Sequence, residues 1–203
     1  MINLKNIDLS KGNKQIFVNY NVYFNSPGLN LITGKNGVGK TTLIKMIAGF
    51  VKPNQGLIIN KAHRSSYEWF QNHIYIGSNN SLSNELSIEE NIRIWLSIRG
   101  WKFSKNEIEF NLKKMGIFVY KDFLISQCSD GVKRKTDLCK LFFSLQSGIK
   151  FWLLDEPTNN LDKEGKKNLE TLAKKFLNKN GTIIMSSHDN KIFKLKHKLI
   201  ELI

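Results

Sequence analysis

Apolar and polar residues alternate over "INLKNIDL" (Ile2–Leu9) and again over "IFVNYNVYF" (Ile16–Phe24), with the turn-like "KGNK" between them. This period of two predicts a pair of half-buried strands. "GLNLIT" is a third short strand that runs straight into a glycine-rich loop. Beyond the loop, "TTLIKMIAGF" reads as a buried helix closed near Gly49, and "KPNQG" is a turn before the strand "LIIN".

The pattern changes between about Asn79 and Gln127. "SIEENIRIWLSIRG" places Glu90 three residues after Ser87, a capping box, ahead of apolar positions at helical spacing. "SKNEIEFNLKKMG" repeats the Ser-x-x-Glu start and ends on a glycine. "IKFWLLDEP" then returns as a continuous apolar strand of the buried parallel type. "KEGKKNLETLAKKFLNKNG" is an amphipathic helix, "TIIMSS" another buried strand, and the remainder reads as a short tail. Strand–helix alternation around a helical insertion predicts an α/β core with a mostly parallel sheet.

Composition narrows this picture. At 203 residues the chain can hold one large domain with a substantial core. No apolar run spans a bilayer, and the N-terminus has no secretory pattern, so the expectation is a soluble chain or one held at a membrane by a partner. The two cysteines, Cys128 and Cys139, lack metal-ligand spacing and read as reduced thiols of a reducing compartment. A net charge of +14 suits nucleic acid, anionic lipid or an acidic partner. The lysines are scattered, however, and no RNA-binding signature accompanies them, so nucleic acid is not the favoured partner. Many residues have A/T-rich codons, which accounts for part of the charge.

The candidate chemistry begins at "GKNGVGKTT", comprising Gly34, Lys35, Asn36, Gly37, Val38, Gly39, Lys40, Thr41 and Thr42. It fits G-x-x-x-x-G-K-[ST] between a strand and a helix. The glycines let backbone N–H groups curl around the phosphates of ATP, and the helix N-terminus adds a favourable dipole. Lys40 would reach the β- and γ-phosphates, and the Thr41 hydroxyl would coordinate Mg²⁺. Asp155, ending a buried strand, would complete the Mg²⁺ shell, and Glu156 beside it is the candidate base for the attacking water. His188, in "SSHD", stands where a side chain could touch the γ-phosphate.

The order "GKNGVGKTT", "CSDGVKRK", "WLLDEPTNNLD", "SSHD" resembles the nucleotide-binding subunits of ABC transporters along essentially the whole chain. The resemblance implies an α/β P-loop NTPase core with a mostly parallel sheet, an antiparallel β element and an inserted helical subdomain at residues 80–146. It also implies a self-dimer that sandwiches two ATP molecules, each phosphate loop closed by the other subunit's signature motif. Ser129, Asp130 and Gly131 occupy that signature slot, with Ser129 and Gly131 keeping its serine and second glycine. "NNLD" (Asn159–Asp162) matches the family's D-loop.

Departures from the family pattern are local. If the Asp130 carboxylate pointed at a phosphate ~6 Å away, repulsion would be on the order of 3 kcal/mol at an effective dielectric of ~20. It could instead cap its own helix. Val132 in place of glutamine costs about 1 kcal/mol if one hydrogen bond is lost. Lys133, Arg134 and Lys135 are positioned in sequence to offset the added negative charge. Asn79 or Asn80 stands where a glutamine joins the Mg²⁺ site, and Asn79 is taken as the candidate metal contact. No aromatic residue in "LSKGNK" occupies the place from which the family stacks on adenine.

"YIGSNNSLSNELSIEENIRIW" is similar to the heme-exporter branch, which serves cytochrome c maturation. That likeness implies integral membrane, heme-handling partners, and a place on the matrix side of a mitochondrion or the cytoplasmic face of a bacterial inner membrane. An ATPase of another exporter, a soluble non-transport ATPase and a subunit with weak turnover stay open as alternatives.

Overall fold

The computed structural model describes residues 1–60, 65–189 and 193–203. They divide into two compact units: residues 1–78, 150–157 and 175–203, and residues 79–149 and 158–174.

In the first unit, β1 (Ile2–Lys11), β2 (Lys14–Phe24) and β4 (Gln55–Asn60) form an antiparallel sheet in the order β2-β1-β4. Five strands form a wholly parallel sheet in the order β5-β6-β7-β3-β8. They are β3 (Gly28–Gly34), β5 (His73–Ile76), β6 (Phe151–Asp155), β7 (Thr182–Ser186) and β8 (Lys198–Leu202). Every residue of β6 and β7 is buried, as expected for strands covered on both faces. Helix α1 (Lys40–Ala48) has apolar side chains around most of its circumference. It shares one core cluster with Leu4, Ile7 and Phe17 of the antiparallel sheet and Ile32, Leu153 and Ile184 of the parallel one. A helix covered on so many sides is fixed in place, and so is the loop that feeds it. α1 ends at Gly49 in the left-handed conformation, the stop that the pattern predicts.

Three elements of this unit escape the pattern. α2 (Ser66–Asn72) and β5 are only seven and four residues long, too short for periodicity to register. The tail is also more than a tail. "KLIEL" is the edge strand β8, paired with β3, and its interleaved lysine and glutamate are the polar dressing usual on an exposed edge.

The second unit is helical: α3 (Ile88–Ile98), α4 (Lys105–Met115), α5 (Asp130–Ser144) and the first part of α6 (Lys163–Asn178). Both predicted capping boxes form: Ser87 with Glu90, and Ser104 with Glu107. The reciprocal bonds hold both glutamates below the usual carboxylate range. α5 packs against α3 and α4, with Phe103 meeting Phe143 edge-on at 4.9 Å.

Inside α5, Asp137 and Lys140 form an ion pair with side chains 0% and 3% exposed. Ser81, from the segment after β5, donates its hydroxyl to Asp137 Oδ1 at 3.0 Å and accepts from Lys140 Nζ at 3.0 Å. Among the described residues, Asp137 Oδ2 is buried without a hydrogen-bond partner. No helix among the described residues is long and apolar enough to cross a membrane.

Candidate nucleotide-binding site

The loop between β3 and α1 is shaped by two close approaches. At Gly34 (φ 143°) a Cβ would lie 2.4 Å from the Leu202 carbonyl oxygen. Only glycine therefore fits beside the edge strand. At Gly39 (φ 115°) a Cβ would lie 2.8 Å from Ile16 Cγ2. Gly39 also caps α1 with no side-chain hydrogen bond, so the first-turn N–H groups have no competing side-chain acceptor there. This is the arrangement a helix N-terminus needs to receive an anion. The Lys40 ammonium is buried and donates to the carbonyls of Gly34 (2.8 Å) and Lys35 (3.1 Å).

The polar chain behind the loop is continuous. Thr41 donates its hydroxyl to Asp155 Oδ2 at 2.8 Å. Ser186 donates to Asp155 Oδ1 at 2.6 Å and accepts the Glu156 backbone N–H at 2.9 Å. Asp155 and Ser186 are register partners on β6 and β7, so the parallel sheet itself aligns this chain. Sequence reasoning missed Ser186; strand register is the signal that identifies it. Thr41 and Asp155 offer hard oxygen atoms side by side, a donor set that suits Mg²⁺ bound jointly with substrate phosphates.

Glu156 sits at φ 47°, a left-handed conformation uncommon for glutamate and of a kind that concentrates at functional sites. Its carboxylate is 3.1 Å from His188 Nε2. Burial pushes the Glu156 carboxyl above the usual range, opposed by the nearby His188 and Lys40 charges. One cleft of about 360 Å³ brings Asn36, Gly37, Gly39, Lys40, Thr41, Thr42, Glu156 and His188 together with Lys11, Lys14 and Ile16.

The raised Glu156 pKa has a consequence for stability. The folded state holds a proton that the unfolded chain would release. The stabilising contribution is therefore fully present below the ordinary value of 4.5 and is lost as pH rises through the elevated folded value. Glu156→Gln removes this dependence. Thermal melts should show the variant above the parent protein at pH 8, with the gap closing towards pH 5. A gap independent of pH would contradict this account.

The remaining candidates belong to the second unit. Ser129, not Asp130, caps α5, accepting the Val132 N–H at 3.4 Å. Asp130 is exposed in the helix's first turn, where the dipole favours a carboxylate. Gly131 packs against the next candidate loop, since a Cβ there would lie 3.2 Å from the Asn160 carbonyl oxygen. The expected compensation of Asp130 is smaller than the sequence suggests. Arg134 is 2% exposed and Lys135 is paired with Asp162 at 2.8 Å, which leaves Lys133 of the three. Asn79 is exposed, whereas the side-chain oxygen of neighbouring Asn80 is buried without a hydrogen-bond partner among the described residues. Burial lifts the Cys139 thiol to about 12, which fits an inert core thiol.

The family model described as "ABC transporter" matches residues 17–159, well over half of the chain. The chain belongs to the ABC transporter family. Among curated ABC relatives, the cytochrome c biogenesis ATP-binding export protein CcmA of Vibrio parahaemolyticus (serotype O3:K6) is 30% identical over 94% of this chain and 93% of its own length. That of Vibrio vulnificus (strain CMCP6) is 29% identical over the same shares of the two chains. Among solved structures, the ABC cassette MJ0796, in a dimeric post-hydrolysis state bound to ADP and Pi, superposes with a TM-score of 0.84. It is 20% identical, over 100% of this chain and 94% of that one, and supports the fold alone.

Proposed function

We propose that this ABC ATPase is the ATP-hydrolysing subunit of a membrane complex serving cytochrome c biogenesis, with heme-handling integral membrane subunits as partners. The observation that carries the chemistry is the Thr41–Asp155–Ser186–Glu156 chain directly behind the phosphate loop. The branch rests on relatives that match nearly the whole chain and are named for cytochrome c biogenesis. These relatives are bacterial, which favours the cytoplasmic face of a bacterial inner membrane over the mitochondrial alternative.

In this reading the loop N–H groups of Gly34–Thr42 cradle the ATP phosphates, and Lys40 exchanges its two carbonyl partners for β- and γ-phosphate oxygens. Thr41 and Asp155 would hold Mg²⁺, with Asn79 as a further contact. When bound, the ion neutralises charge on the phosphates. Glu156 accepts a hydrogen bond from the attacking water and orients it, and its elevated pKa makes it a better base than an exposed carboxylate. His188 holds that carboxylate and reaches the γ-phosphate. Ser129, Asp130 and Gly131 act on the nucleotide of a second subunit, the Ser129 hydroxyl turning from its cap towards the γ-phosphate.

The test is light scattering of the Glu156→Gln protein with and without MgATP. A MgATP-dependent dimer that disappears on adding Ser129→Arg is the expected result. Binding of MgATP by a persistent monomer would instead favour a signature too weak to close alone, with Asp130 as its cause.

A further inference from the structure

We propose that the nucleotide cleft discriminates weakly among nucleobases, so that the chain binds and hydrolyses GTP, CTP and UTP as well as ATP. This rests on the nucleotide reading above and concerns the opposite end of the same cleft. With the terminal phosphate beside Thr41, Glu156 and His188, the base must lie towards the β1–β2 hairpin, where Lys11, Lys14 and Ile16 form the wall.

Reading a base requires a ring to stack on it or rigid donors and acceptors facing its edge. The hairpin wall offers neither. Lys11 and Lys14 are exposed, and the Lys14 ammonium lies 3.5 Å from the Gly37 carbonyl oxygen. That places it over the phosphate loop rather than at a base edge. Ammonium groups on flexible stems attract phosphate and the π-face of any base alike. Ile16 packs against Gly39 and presents only methyl and methylene groups.

The nearest rings face inward. Phe17 is 4% exposed, its ring tip 3.1 Å from a Cβ built at Gly39, and it stacks on Tyr20 at 5.0 Å. Among the described lining residues none is aromatic, and the side-chain amide they include, Asn36, belongs to the phosphate loop. Affinity therefore comes from the triphosphate, which all four nucleotides share.

The experiment measures binding of MgATP, MgGTP, MgCTP and MgUTP to the Glu156→Gln protein, and their hydrolysis by the parent protein. The four dissociation constants should agree within about threefold, because no ring supplies the roughly five- to hundredfold gain of base stacking. Lys11→Tyr, which adds a ring at the exposed hairpin edge, should tighten the purine nucleotides about fivefold or more relative to the pyrimidines. ATP bound tenfold or more tighter than the other three would overturn the proposal and leave the ATPase reading intact. Equal affinities unmoved by Lys11→Tyr would place the base away from the hairpin and overturn the argument made here. Failure of all four nucleotides to bind would sink the ATPase reading itself.

Discussion

Replacing Glu156 by Gln should lower steady-state MgATP hydrolysis by roughly a hundred- to ten-thousandfold, the range expected when a positioned general base is lost. MgATP affinity should stay within a few-fold of the parent protein. The separation follows from the geometry. Glu156 contributes its backbone N–H to Ser186 and its carboxylate to His188, while the loop and Lys40 supply the groups that hold phosphate. Glutamine preserves the shape and can still hydrogen-bond water, but it cannot accept the proton. The left-handed backbone at position 156 also keeps its strain whichever side chain is present, so the comparison isolates the carboxylate. Single-turnover hydrolysis with an equilibrium binding titration checks both halves. A matched loss of affinity and rate would show that Glu156 serves binding, and undiminished hydrolysis would remove it from the mechanism.

The second large effect lies in the helical unit. Lys140→Met should destabilise the protein by about 3–5 kcal/mol, because it leaves Asp137 charged and buried without its cation. Ser81 then becomes the donor left to an otherwise isolated carboxylate. Asp137→Leu combined with Lys140→Met should recover most of the loss, since an apolar pair of similar volume carries no desolvation cost. Urea unfolding of the two single variants and the double variant closes the cycle. Additive losses would mean that the two charges act independently, despite their contact.

These expectations also mark what could be read from the residues alone. Capping boxes at Ser87 and Ser104, the glycine stops at Gly49 and Gly116, and the loop from Gly34 to Thr42 are local signals, and the structure forms the elements they predict. Thr41, Asp155, Glu156 and His188 were grouped by motif and do lie in one neighbourhood. What stayed hidden depends on pairing between distant segments. Ser186 acquires its place only when β7 aligns with β6, and nothing within "TIIMSS" records that register. The orientations of Arg134 and Lys135 are likewise set by what α5 packs against, so three adjacent cations looked equivalent in sequence and are not. β8 was missed because an edge strand carries charge where a central strand carries apolar residues.

That last strand changes how the protein must be made. Gly34 sits against Leu202, and β3 is flanked by β7 and β8, all of them encoded far downstream of the phosphate loop. During synthesis the N-terminal hairpin can form early, but the loop's two flanking strands emerge late. A nascent chain that has already displayed the whole of "GKNGVGKTT" would still lack the scaffold to grip a nucleotide. Competence to bind therefore arrives late in translation, and products broken off before β8 would carry the motif without the site.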